Sequence, residues 1–233
     1  MSHPRSPNFG ERRHGAGRAP DMVVLHYTGM QTAEAAVARL CDPAFEVSAH
    51  YVIAEDGRVF DLVSEEKRAW HAGIGAWGDV RDVNSHSIGI ELANPGPEGA
   101  LGHFPEEQMR VLERILGELL ARYSIPKERV VGHSDIAPGR KFDPGPLFDW
   151  QRLAKGGLSI WAHGKADCAD WARFKTAALR FGYRPASETL AGWQEVLHSF
   201  RLRFRPEQTG DLDPYDLGTL ETLARDYPCA FVD

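Results

Sequence analysis

Met22-Val-Val-Leu-His26 is an apolar run that ends on an imidazole, and Ser87-Ile-Gly-Ile-Glu91-Leu-Ala93 alternates with a period of two. Both read as strands. In the second, Ile88, Ile90 and Leu92 share one face, while Gly89, Glu91 and Ala93 share the other. After the first strand, Thr32 is placed to cap a helix through Leu40 that Asp42-Pro43 ends. The runs His50–Ala54 and Arg58–Val63 flank Glu55-Asp-Gly57, a hairpin signal. Pro105 at a first helical position, followed by Glu106 and Glu107, opens a long helix with Val111, Leu112, Ile115, Leu116, Leu119 and Leu120 as its apolar stripe. Val130-Val131 is a short strand running towards His133, and Pro146 to Leu153 is expected to form a closing helix.

Strands interspersed with helices predict an α/β fold, a mixed central sheet flanked by helices. Residues 1–20, rich in Pro, Gly and Arg, are expected to be an irregular lead-in to a domain over 21–156. A linker over 157–166 follows, then a small three-helix domain over 167–233 with helical patterns at about 168–181, 187–200 and 213–226.

Composition excludes several classes. With 233 residues and 42% apolar content the chain can fill an ordinary core. A net charge of −6 and a pI near 5.9 argue against a nucleic-acid partner. No stretch approaches the ~18 consecutive apolar residues of a transmembrane segment. Cys41, Cys168 and Cys229 are far apart and form no CxxC pair, so they suggest neither a thiol metal site nor a disulfide framework. A cysteine hydrolase is disfavoured because Cys41 ends a helix and the other two lie outside the α/β domain. The N-terminus is polar and lacks the apolar core of a secretory signal. That reading predicts a cytoplasmic chain, or a periplasmic one if it is a processed form.

His26, His133 and Asp143 each stand at the end of a strand-like run or in the loop after one. Two imidazoles and a carboxylate can hold a catalytic zinc ion and leave a fourth position open. Each alone has an ordinary structural reading, and Asp143 before Pro144-Gly145 could simply start a turn. Together with Lys141 beside one ligand and Glu91 on a strand face with only small neighbours, they suggest metal-assisted hydrolysis. Glu91 would be the general base, and Lys141 would stabilise an oxyanion, a role worth roughly 3 kcal/mol. The set suits an amide, though spacing does not exclude an ester.

Six motifs occur in order: Ser6-Pro-Asn-Phe, Val24-Leu-His26-Tyr-Thr, Val47-Ser-Ala-His50-Tyr-Val, Arg68-Ala-Trp-His71-Ala-Gly, Ser87-Ile-Gly-Ile-Glu91-Leu and Gly132-His133 through Lys141-Phe-Asp143-Pro-Gly. Over residues 6 to 155 they resemble the zinc N-acetylmuramoyl-L-alanine amidases of the AmpD/AmiD branch, relatives of phage amidases and peptidoglycan recognition proteins. The resemblance implies zinc on His26, His133 and Asp143, catalysis by Glu91 and Lys141, and cleavage between the lactyl group of N-acetylmuramic acid and L-Ala of the stem peptide. Phage-type members carry a catalytic tyrosine where this chain has Ala49, so Glu91 has to do that work. The implied partner is peptidoglycan or a muropeptide, met by a monomer. Residues 179–223 resemble, more loosely, a three-helix peptidoglycan-binding domain, with a purely structural bundle as the other reading.

A non-catalytic peptidoglycan recognition protein is the alternative function, and it would be expected to lack one or more ligands. Four further residues are candidate substrate contacts. His50 could line the cleft or simply pack. His71 sits in a loop where a sugar or peptide could touch it. Trp77 could stack on a sugar or anchor its loop, and Asn84 could bond the stem peptide or cap a turn. His3, His14, His86, His103, His163 and His198 are most simply surface residues.

Overall fold

The sheet is built where the sequence is most apolar. The computed structural model describes residues 5–13, 19–99 and 102–229. In it, β2 (Met22–Tyr27) lies between β6 (Ser87–Leu92) and β7 (Val130–Gly132) and runs parallel to both. Strand β3 (Tyr51–Ile53) adds in parallel beside β6, and β4 (Val59–Asp61) turns back antiparallel at the edge. The order is β4-β3-β6-β2-β7, a mixed sheet. Gly57 supplies the hairpin's left-handed position at φ 82°.

Each sheet face is covered by different helices. Val23, Leu25, Ile88, Ile90 and Leu92 pack against Leu112, Ile115, Leu116 and Leu119 of α3 (Glu106–Tyr123). Its buried Gln108 donates to the Ile53 and Ala93 carbonyls at 2.8 and 3.0 Å, tying the helix to the sheet's end. Helix α1 (Ala33–Cys41), capped by Thr32 on Ala35 N–H, covers Val52 and Leu62. On the opposite face Met22, Val24 and Val131 join one cluster with Phe174 and Phe181 of α6 (Trp171–Phe181), Trp193, Phe200 and Phe204 of α7 (Leu190–Phe204) and Leu217, Leu220 and Leu223 of α8 (Pro214–Asp226). Each such side chain, fully buried, contributes about 1.5–3 kcal/mol. Asp170, Thr189 and Asp213 cap these three helices, as their short polar side chains favour.

Several expectations need correction. Phe9–Glu11 of the supposed irregular lead-in forms β1, which pairs antiparallel with β5 (Lys67–Ala69). Ser6 and Asn8 are buried, and Asn8 Nδ2 donates to the Asp42 and Val47 carbonyls at 2.9 Å each. The closing helix, α5, spans only Trp150–Lys155, because Asp149 caps it from Arg152 N–H and Gly145 holds a turn before it at φ 85°. Residues 157–166, read as a linker, include the buried Ser159 and Ile160. Two short helices were not anticipated: α2 (Val83–His86) and α4 (His133–Ile136).

Candidate metal centre

His26 and Glu91 are partners across the β2–β6 ladder and lie at the carboxyl ends of parallel strands. Strand β7 ends at Gly132, so His133 becomes the first residue of α4. The chain then turns, with Arg140 and Lys141 N–H on the Ala137 carbonyl, and returns so that Ser134 N–H meets the Asp143 carbonyl at 2.9 Å. This return brings Asp143 beside both histidines.

The three groups form a nearly equilateral triangle. His26 Nδ1 is 2.9 Å from His133 Nδ1 and 2.9 Å from Asp143 Oδ2, and His133 Nδ1 is 3.0 Å from the same oxygen. That spacing suits three bonds of about 2.0–2.2 Å to one ion. His133 Nε2 is 3.0 Å from the Ala72 carbonyl. A carbonyl brings no proton, so Nε2–H donates there and Nδ1 is the ring nitrogen turned to the triangle. All three residues are buried, and together they could hold a metal ion.

Electrostatics favour the same occupant. Burial, with the neighbouring His133, lowers the pKa of His26 to about 4, which keeps it a neutral ligand. Burial acts to raise the Asp143 carboxyl, but His133 and His26 outweigh it and hold it well below its ordinary range. Burial and the nearby Asp143 charge push Glu91 well above the usual carboxylate value, opposed by Lys141. Glu91 Oε2 is buried without a partner among the described residues. Two carboxyl groups at a buried spot call for positive charge, and a divalent ion in the triangle answers that.

The triangle, Glu91 and Lys141 line one cleft of about 450 Å³. Trp70, Arg140 and Phe142 also line it and were not anticipated. Arg140 adjoins Lys141 in Pro138-Gly-Arg-Lys and donates to the Ala72 carbonyl at 2.7 Å and to that of Ile74. It therefore braces the loop after His71 against the metal triangle.

The expected substrate contacts fare differently. His50 is fully buried, with Nδ1 accepting from Gly89 N–H at 2.9 Å and Nε2 at 3.1 Å from the Lys67 carbonyl; it packs rather than lining the cleft. Trp77 is 1% exposed and packs edge-on against Phe181 and Tyr183, so its faces are closed to a sugar. Asn84 is buried and its Oδ1 accepts from His71 and Ala72 N–H at 3.1 and 2.8 Å, which is loop support. His71 borders the cleft, but Nδ1 is 3.0 Å from His26 Nε2 and Nε2 is 3.2 Å from Ser87 Oγ, so both ring nitrogens are engaged. Gly89, one of the small neighbours of Glu91 on that strand face, leaves space that is filled by this ring. His86 contacts Asp21 and His163 accepts from Trp161, while His103 and His198 are exposed. His3 and His14 lie outside the described residues.

Comparison with known proteins gives a consistent result. A family model described as N-acetylmuramoyl-L-alanine amidase matches residues 16–146. The chain is 35% identical over 231 aligned residues to N-acetylmuramoyl-L-alanine amidase AmiD of Escherichia coli, covering 88% of this chain and 83% of that one. It resembles the structure of AmpDH3 from Pseudomonas aeruginosa in complex with anhydromuramic pentapeptide, with a TM-score of 0.81, 32% identity and 93% and 96% of the two chains covered. E. coli AmiD with the substrate anhydro-N-acetylmuramic acid-L-Ala-D-gamma-Glu-L-Lys gives 0.74, 32%, and 93% and 95%.

Proposed function

Because this chain belongs to the N-acetylmuramoyl-L-alanine amidase family, we propose that it hydrolyses the amide joining the lactyl group of N-acetylmuramic or anhydro-muramic acid to L-Ala of the stem peptide, using zinc held by His26, His133 and Asp143. The triangle of donors 2.9–3.0 Å apart carries the reading. A metal with a preference for four ligands, two of them imidazole, suits it, and zinc fits that description. Bound there, zinc supplies Lewis-acid activation of water near neutral pH.

The protein's own groups then divide the remaining work. Glu91, facing the cleft beside the triangle, takes the proton of the attacking water and delivers it to the leaving L-Ala nitrogen. Without that delivery the departing amine would be an amide anion, a very poor leaving group. Lys141 sets its ammonium against the oxygen that gains charge as the carbonyl becomes tetrahedral. The cleft's Trp70 and Phe142 offer apolar surface to the substrate, and Arg140 a cation for its carboxylates.

The complete set of three donors, Glu91 and Lys141 favours an enzyme over a recognition protein on the same fold. We read helices α6–α8 as an integral part of the catalytic unit, supported by the cluster they share with Met22, Val24 and Val131. We propose a monomer as the working unit. Among the described residues no helix is long and apolar enough to cross a membrane. Soluble anhydro-muropeptides are the substrate class we favour, by analogy with the ligands bound in the two solved relatives. Incubation with such a muropeptide and, separately, with intact sacculi, followed by mass spectrometry, tests this. Free stem peptide beginning at L-Ala is expected from the muropeptide. Cleavage at any other bond, or none, would overturn the assignment.

A further inference from the structure

A histidine can offer Nδ1 to a metal only if its proton sits on Nε2, and whatever touches Nε2 decides that. For His133 the Ala72 carbonyl is decisive. For His26 the neighbour is His71, itself an imidazole, so the decision passes further along. Ser87 Oγ lies 2.6 Å from the Val83 carbonyl, which has no proton, so the Ser87 hydroxyl must donate there. Its oxygen is then the acceptor for His71 Nε2–H at 3.2 Å. His71 Nδ1 is left as a lone pair, and at 3.0 Å it accepts His26 Nε2–H. His26 Nδ1 is thereby bare on the side of Asp143 and His133.

We propose that His71, oriented by Ser87, is a positioning residue that fixes the tautomer and ring plane of His26 and so sets the metal affinity of the site; this rests on the metal reading above. The packing is arranged for it. The His26 and His71 rings meet edge-on at 78° with centroids 5.1 Å apart. Strand β6 presents Ser87, Gly89 and Glu91 on one face. Ser87 bonds the ring, Gly89 makes room for it and Glu91 lines the cleft. A Cβ at Gly89 would lie 2.4 Å from His71 Cγ, so no larger residue leaves the ring in place. Asn84, on the backbone of His71 and Ala72, holds the loop from the other side. With both ring nitrogens committed, His71 has no polar atom left for substrate.

The test is zinc affinity, read without turnover. Metal-depleted full-length chain is titrated with zinc against a chromophoric chelator, and the thermal midpoint of the metal-free protein is recorded beside it. His71→Leu is expected to weaken zinc binding 10- to 100-fold, the usual range for losing such a partner. His71→Asn places Oδ1 where Nδ1 stood and is expected to recover most of that affinity. Ser87→Ala, which frees the His71 tautomer but keeps the ring, is expected to fall between. Wild-type affinity in His71→Leu, or equal losses in the Leu and Asn variants, would overturn the proposal, the latter by reducing His71 to packing. If His71→Leu does not fold, the Asn and Ser87→Ala variants decide, and wild-type affinity in Ser87→Ala would remove Ser87 from the account. His133→Ala separates the two claims: if it binds zinc as the parent does, the metal reading has failed rather than the role of His71.

Discussion

Arg203→Met is expected to destabilise the protein severely through a residue seventy positions from His133. Arg203, 2% exposed, reaches from α7 to the base of the metal site. Its Nη1 donates to Asp135 Oδ2 at 2.8 Å, and its Nη2 donates to the Val130 carbonyl and Ser159 Oγ at 3.1 Å each. The guanidinium also lies 4.2 Å from the Trp150 ring centroid. Asp135 is fully buried, two residues past His133, and also accepts from Gly132 N–H at 2.8 Å and Tyr183 OH at 2.6 Å. Methionine preserves most of the stem's packing but leaves a buried carboxylate with neutral partners only. Breaking such a pair costs about 3–5 kcal/mol, which for a chain of this size lowers Tm by roughly 6–20 °C. Urea and thermal unfolding of the single and double variants measure it. Adding Asp135→Asn should restore at least about 1 kcal/mol, since the uncompensated charge is gone. A loss under about 1 kcal/mol in Arg203→Met, or strict additivity in the double variant, would refute the view that this ion pair secures the strand and helix carrying His133.

Other consequences are as direct. Lys141→Ala should fold normally and lower kcat by about 10²–10³, the usual loss for one oxyanion donor; an effect confined to KM would instead make Lys141 a binding group. Trp77→Ala should cost about 3–5 kcal/mol in unfolding free energy with little change in KM, whereas a sugar-stacking Trp77 would show the opposite pattern. Glu65 is 11% exposed, and burial acts to raise its carboxyl, but hydrogen bonds from Tyr123, Tyr51 and Arg122 outweigh this and hold it below its ordinary value. Its contribution is therefore present above the unfolded-state value of about 4.3 and is lost as pH falls through the folded one. Glu65→Gln should lower Tm at pH 7 and make the decline of Tm below about pH 4.3 shallower; parallel acid limbs would show that Glu65 contributes nothing there.

The strongest local patterns announced the fold. Met22–His26 and the alternating Ser87–Ala93 became adjacent parallel strands, and the stripe from Leu112 to Leu119 became the helix over one sheet face. The site's donors were legible because His26 ends one apolar run that must be a strand, while His133 and Asp143 follow a second. What stayed hidden depends on partners distant in sequence. Phe9–Glu11 has no periodicity of its own and becomes a strand only because Lys67–Ala69 lies beside it. Trp77 is a plausible sugar platform until Phe181 and Tyr183, more than a hundred residues later, close over it. Asp135 reads as one more polar residue near His133, and its pairing with Arg203 and Tyr183 emerges only when α7 packs on the sheet. Gly89 suggested open space beside Glu91. The structure uses that space for His71, a ring whose partners come from β2 and β6.

Hydrolysis by this chain is proposed to depend on an ion held by His26, His133 and Asp143. Cleavage of an anhydro-muropeptide by the full chain before and after chelation, with zinc content determined in parallel for the parent and for His133→Ala, decides the matter. One zinc per parent chain is expected, with activity that disappears on chelation and returns with stoichiometric zinc, and neither zinc nor activity in His133→Ala. Undiminished cleavage by the zinc-free protein, or by His133→Ala, would contradict it.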